Sequence, residues 1–309
     1  MKKIITFIFI VCLGMSVIAC SEEKQALSIL LPNGTPAIAQ SNIELNQSDT
    51  YTIDRVDGPQ ALIAGFTSES HDIIIAPVNL GANLYQKDMN YQLAGVLTWS
   101  NLQIVSRQEI ASLDDLVGKD IYGFGQGSTP QMIIDYTFSQ AEIDGAIQIN
   151  YESSSVQEAL LSFMQNEDSV AILAQPITSK AKTMIDDMHV FDLNQLWSNQ
   201  TNQSGFPQAG IFVHESLTES EVNQYLQDIS DSVAYMYDHP LDTAMNCESL
   251  GYALEKEIIE EAIPQSGIHY LSMEDANDDV LNFLNLILEY KPALIGGSLP
   301  DDDFYHIVS

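Results

Sequence analysis

The run Gly123-Phe124-Gly125-Gln126-Gly127-Ser128 is where residue type and spacing first suggest chemistry. Glycines this dense after an apolar stretch can bring backbone amides against a phosphate. A dinucleotide-binding turn, however, wants glycine or alanine where Ser128 stands and an acid ending the next strand, which here ends at Asn150-Tyr151. A mononucleotide loop wants a lysine, and Gly127 is followed by Ser128-Thr129-Pro130. No Gly-x-Ser-x-Gly elbow offers a nucleophile. The histidines at 71, 189, 214, 239, 269 and 306 form no His-x-x-x-His pair, so no zinc site is expected, and with the glycine run fitting no nucleotide loop no cofactor is expected either. The acidic run Glu274-Asp275-Ala276-Asn277-Asp278-Asp279 lacks the glycine and terminal glutamate of a calcium loop and reads as a helix start. Cys247 has no basic neighbour in sequence and reads as a small buried hydrophobe.

What remains is binding chemistry. The glycine run lies between a strand, Lys119–Phe124, and a helix in which Ser128 or Thr129 suits the N-cap and Pro130 the first turn. A second stretch repeats the pattern, with Leu27–Leu31 running into Pro32-Asn33-Gly34-Thr35-Pro36. Such helix starts present unpaired amides and a positive dipole end. Other polar groups also follow strands. They are Asn79 after Pro77, Trp99 and Asn101 around Ser100, Gln175, and Phe206 and Gln208 after Gly205. With Asn33, Gly34, Thr35, Gln126, Ser128 and Thr129 they make an uncharged polar set with two aromatics. In an open α/β sheet such strand ends are where ligands bind. The set suits a small polar or ring-bearing solute.

The elements that must position these corners alternate. Strands at Leu27–Leu31, Tyr51–Val56 and Asp72–Ala76 are separated by helices at Thr35–Ile43 and Pro59–Phe66, and Val78–Gln86 follows as a third helix. Tyr91–Arg107 is too long for one strand and breaks at Trp99-Ser100-Asn101, which reads as a chain crossing into a second lobe. There the pattern repeats to His189–Asp192. Leu196–Gly205 reads as a polar loop, and Pro207–Val213 as the return strand. Beyond it the chain reads as helical, at Glu219–Tyr237, Leu241–Cys247, Leu250–Ala262 and Asp275–Glu289. The expected fold is α/β, a two-lobe clamshell with a mostly parallel sheet in each lobe. Residues 27–100 and 214–309 make lobe 1, and 101–213 make lobe 2.

With 43 acids against 11 bases and a net charge of -32, the chain is a poor partner for nucleic acid or for anionic lipid surfaces. Its N-terminus reads as a targeting segment. Lys2 and Lys3 precede an apolar run, Ile4–Val17, and Val17-Ile18-Ala19-Cys20 closes it like a bacterial lipobox. Residues 1–19 would then be a lipoprotein signal peptide, Cys20 the acylated (palmitate-class) first residue anchored in a membrane, and 20–26 a tether.

At these residues the chain resembles the solute-binding lipoproteins of ABC importers, the two-lobe group that includes thiamine-precursor, taurine and nitrate binders. The likeness rests on Cys20 in its lipobox and on Asp72-Ile73-Ile74-Ile75-Ala76-Pro77-Val78-Asn79-Leu80-Gly81. It rests also on Ser112-Leu113-Asp114-Asp115-Leu116-Val117-Gly118-Lys119 leading to Gly127-Ser128-Thr129-Pro130. The resemblance implies a periplasmic-binding-protein type II-like fold and a monomer that delivers a solute to a permease and its ATPase. It implies binding positions at Gly34, Thr35, Asn79, Ser128 and Thr129. Arg55 and Arg107 lie at no predicted corner, so a neutral or cationic solute, stacking on Trp99 or Phe206, is expected. An enzyme on the same fold, or a surface lipoprotein with a degenerate cleft, remains the alternative.

Overall fold

The computed structural model describes residues 26–141, 147–201, 203 and 205–307. The Cys20 lipobox and its apolar run lie outside the described residues. Two sheets organise the rest. The first unit runs β1 (Leu27–Pro32), α1 (Thr35–Asn46), β2 (Tyr51–Val56), α2 (Pro59–Ser68), β3 (Ile73–Pro77), α3 (Val78–Tyr85) and β4 (Tyr91–Trp99). The second runs β5 (Leu102–Ser106), β6 (Ile121–Phe124), α4 (Thr129–Gln140), β7 (Ile149–Ser153), α5 (Val156–Gln165), β8 (Val170–Ala174), α6 (Ile177–Met184), β9 (His189–Asp192) and α7 (Leu193–Thr201). The chain returns through β10 (Pro207–His214), α8 (Glu219–Asp238), α9 (Pro240–Ser249), α10 (Lys256–Ala262), β11 (Ile268–Ser272) and α11 (Met273–Tyr290).

The sheets share a plan. The first has the order β2-β1-β3-β10-β4 with β11 added at the edge, and the second β7-β6-β8-β5-β9. Within each, the first three strands are parallel, and the strand that arrives from the other sheet, β10 or β5, is antiparallel to both its neighbours. The fold is the expected α/β arrangement of two sheets flanked by helices, but each sheet is mixed rather than mostly parallel, because the crossing strands β10 and β5 and the edge strand β11 pair antiparallel.

The unbroken apolar runs explain the layering. A strand points successive side chains to opposite faces, so a strand covered on both sides has no polar position. In β3, Ile73 and Ile75 enter the core under α1, α8 and α9, while Ile74 and Ala76 enter the core under α2, α3 and α11. In β8, Ala171 and Leu173 face α5 and α6, while Val170 and Ile172 share the core that α4 and α7 cover.

Two expectations fail. Leu196–Gly205 is not a loop throughout, because residues up to Thr201 belong to α7. Leu193 and Trp197, one turn apart, are fully buried, and this pair drives a helix whose Asn, Gln, Ser and Thr composition hid it. Leu250–Ala262 is not one helix. Gly251 has φ 73, and α10 starts only at Lys256. The C-terminal part also contributes β11, which pairs with β4 through Ile268, Leu271 and Ser272.

Candidate ligand-binding cleft

A cavity of about 870 Å³ opens between the two sheets. Its floor is the double crossing. The hydroxyl of Ser100 accepts the Phe206 amide at 2.7 Å, and Gln208 Nε2 donates to Asn101 Oδ1 at 2.9 Å. The Ala209 amide donates to Thr98 Oγ1 at 3.1 Å. The crossings are thus braced against each other by side chains that also line the cavity, since Thr98, Asn101, Gln208 and Ala209 all do so. Gln208 Oε1 is left buried without a donor.

The first sheet supplies the corner after β1. Gly34 has φ 107, a left-handed-side conformation that suits glycine, and it leads into α1 with no side-chain cap. Asn33 Nδ2 donates to Asp57 Oδ1 at 2.8 Å and ties this corner to the end of β2. Asn33, Gly34, Thr35 and Pro36 line the cavity, so the start of α1 lies in its wall. The second sheet supplies Gln175, Pro176, Ile177 and Lys180 at β8 and α6, and Val156 and Gln157 at the start of α5. Gln175 is held in place. Its Nε2 donates to Gln103 Oε1 at 3.3 Å, and its Oε1 accepts the Ser179 amide at 3.3 Å.

A cluster not anticipated from the sequence closes one wall. The Arg55 guanidinium lies 4.1 Å from the centre of the Tyr252 ring, donates to the Leu250 carbonyl at 2.8 Å, and sits 3.5 Å from Glu44 Oε1. Tyr252 donates its hydroxyl proton to Ala37 O at 2.8 Å, and Glu44 Oε2 lies 3.3 Å from the same hydroxyl. Burial pushes the Glu44 carboxyl above its ordinary value, although Arg55 and Tyr252 pull it back. Burial likewise raises the Tyr252 hydroxyl and pushes the Cys247 thiol up to about 11. Cys247, fully buried beside this cluster, is an inert packing residue. The residues from Gly251 to Leu254 form a strap over the cavity, and Leu254 packs against the helical cores of both sheets. Lys182 Nζ, on α6, lies 3.5 Å from Glu261 Oε1, on α10.

Of the residues the sequence nominated, Asn33, Gly34, Thr35, Asn101, Gln175 and Gln208 meet at this cavity. Asn79, Trp99, Gln126, Ser128, Thr129 and Phe206 are not in its lining. Trp99 is core, and its Nε1 donates to His269 O at 2.7 Å. Phe206 is core as well, with its ring centre 5.4 Å from that of Trp197 and 6.2 Å from that of Phe283. Neither ring is offered to a solute. The Ser128 hydroxyl turns inward to donate to the Gly125 carbonyl at 2.5 Å. The α4 helix it starts packs on the face of its sheet that α7 covers, away from α5 and α6. One arginine that lies at no predicted corner is nevertheless part of the cavity lining. Arg55 stands near the end of β2, and its side chain reaches the cavity. The signal was present, since a strand end in a parallel sheet faces the ligand crevice.

This geometry defines a class first. Two sheets of the same strand order, crossed twice and enclosing a cavity at their strand ends, make the periplasmic-binding-protein type II-like fold. No protein-family model matches the chain, and no curated protein matches it. Solved structures do. An ABC transporter from Parabacteroides distasonis is similar over 92% of this chain and 100% of its own, with a TM-score of 0.83 at 25% identity. The ligand binding component of an ABC-type import system from Staphylococcus aureus, solved with zinc bound, covers 92% of this chain and 97% of its own, with a TM-score of 0.68 at 13% identity. The periplasmic aliphatic sulphonate binding protein SsuA from Escherichia coli covers 86% and 87%, with a TM-score of 0.65 at 14% identity. Of these three structural neighbours, one is named as an ABC transporter and two as ligand-binding proteins. Among the described residues, no group of three or more His, Cys, Asp or Glu is placed to hold a metal ion.

Proposed function

We propose that this chain is an extracytoplasmic binding protein, anchored through an acylated Cys20, that captures a small polar solute and hands it to an ABC permease and its ATPase. The observation that carries this reading is the cavity at the crossings, whose polar lining comes from both sheets. Residues 27–100 with 214–309, and residues 101–213, act as the two lobes. They hinge at Ser100–Asn101 and Gly205–Pro207, where small residues absorb dihedral change. A solute that touches Asn33–Thr35 on one side and Gln175 on the other interacts with both lobes only when they close. Its differential contacts therefore favour the closed state. The protein works as a monomer in this scheme, because each lobe's polar groups find their complement in the other.

A thermal-shift screen of vitamins, pyrimidines, amino acids and sulfonates tests the reading. A solute present at about a hundred times its dissociation constant adds ~2.7 kcal/mol to the stability of the folded state. If no small molecule raises the midpoint, the capture reading fails. Cys20→Ala, followed by membrane fractionation, tests the anchor. The variant is expected in the soluble fraction, and persistence in the membrane would exclude lipidation at this residue.

A further inference from the structure

We propose that the solute is an aliphatic acid whose anionic group is met by Lys180. This deepens the solute-binding reading and rests on it. Two cations line the cavity, Arg55 and Lys180. Arg55 is already committed to the Leu250 carbonyl, to Glu44 and to the Tyr252 ring. The ion pairs among the described residues engage Arg55, Lys182 and Lys256 but not Lys180, whose ammonium also makes no side-chain hydrogen bond with a described residue. In a chain of 43 acids and 11 bases, a lysine at a cavity wall without a carboxylate partner is a position kept for an incoming anion. Closing the lobes would strip water from that ammonium, which is costly unless a counter-charge arrives with the solute.

The rest of the wall agrees in sign. The two acids of the lining are occupied, Glu44 by Arg55 and Tyr252, and Asp57 by the Asn33 amide. The start of α1, with Gly34 and no side-chain cap, adds its positive end to the same cavity. The body of the solute follows from the apolar lining. Ile38, Ile53, Ile177, Leu254 and Ile259 are aliphatic. Among the described residues of the lining Tyr252 is the only aromatic one, and the Arg55 guanidinium lies over its ring. An aromatic heterocycle would find no ring to stack on, whereas an alkyl chain finds complementary surface.

Calorimetric titration of the full-length mature protein with hexanoate, hexane-1-sulfonate, hexanamide, hexylammonium and benzoate separates these terms. At least one of the two aliphatic anions is expected to bind about tenfold or more tighter than the amide, the ammonium and benzoate. Lys180→Gln is expected to weaken that anion about tenfold without moving the thermal midpoint of the free protein, and Lys180→Arg to retain most of the affinity. Equal affinity of wild type and Lys180→Gln overturns the proposal, as does hexanamide, hexylammonium or benzoate binding as tightly as the anions. Silence of the whole series, alongside a hit in the broad screen, also overturns it and leaves solute capture standing. Silence in both defeats the solute-binding reading itself.

Discussion

The two sides of the junction between the sheets are built alike and filled differently. On one side α1 and the strap after Gly251 face α5 and α6, and the space between them is the cavity. On the other side α11 lies against α4 and α7, and the space is packed with rings. Phe283 stacks on Phe206 at an interplanar angle of 22°, Trp197 meets both, and Tyr136 bridges Trp197 and Tyr290 with centroid distances of 5.4 and 5.2 Å. One apolar core therefore runs continuously from the first sheet into the second on the ring side, whereas on the cavity side the two cores are separate among the described residues, joined by Leu254 and by α10 against α6, where Lys182 meets Glu261. The junction therefore has one edge filled by rings and one edge that holds the cavity.

The comparison is broken most severely by removing a ring. Phe283→Ala is expected to cost about 3–5 kcal/mol of stability by urea unfolding, because the surrounding rings cannot collapse into the void. Solute affinity per folded molecule should hardly change. A large loss of affinity would show that the ring side takes part in binding.

Gly267→Ala comes next. This glycine has φ +66, and a Cβ there would stand 2.4 Å from the Trp99 carbonyl and 2.6 Å from that of Ser100. Both contacts are backbone at the first crossing, and Trp99 N also donates to Gly267 O at 2.7 Å. A loss of about 2–3 kcal/mol is expected in the same measurement. A neutral substitution would mean the crossing gives way more easily than its bracing implies.

Gln208→Ala removes the bond to Asn101 and is expected to cost about 0.5–1.5 kcal/mol. Because Gln208 is in the cavity wall, its loss should also weaken solute binding, which the ring-side substitution should not.

The Glu44 carboxyl sharpens the contrast through pH. Its folded pKa is raised above 4.5, chiefly by burial, so the folded state holds this proton more tightly than the unfolded chain does. That contribution to stability is full below the unfolded value and is lost as pH rises through the folded one. Glu44→Gln lacks it. The wild type should therefore lose stability relative to this variant as pH climbs from below 4.5 towards neutrality. A difference that grows the other way would mean that the Arg55 attraction outweighs burial.

The smallest effect is expected where α10 meets α6. Glu261→Gln breaks the pair with Lys182, whose side chains are 31% and 42% exposed, and should alter stability by less than ~0.5 kcal/mol.

How far the sequence reaches can be judged at its two matching corners. Pro32-Asn33-Gly34-Thr35-Pro36 and Gly127-Ser128-Thr129-Pro130 obey the same rules of capping and turn chemistry, and both are strand-to-helix corners in the structure. Only the first lines the cavity. The order of elements, the parallel strands and the crossing at Ser100 were legible because periodicity and chain reversals are local. Trp99 and Phe206 were legible as residues at crossings, but not as core, since aromatic character alone does not say which face a side chain takes. The Arg55, Glu44 and Tyr252 cluster was invisible because its members come from β2, α1 and the strap after α9, far apart in the chain.

The sequence by itself determined the alternation of strands and helices, the apolar runs that demand cover on both faces, and the acidic surface. All of these depend on neighbours within a few residues. Only the tertiary structure decided which face of each sheet stayed open. The two sheets meet so that α1 of the first lies opposite α5 and α6 of the second, while α4 falls to the far side beneath α7. That pairing depends on how α11 and its rings fill one side of the junction, and no local pattern encodes a contact between residues so distant in the chain.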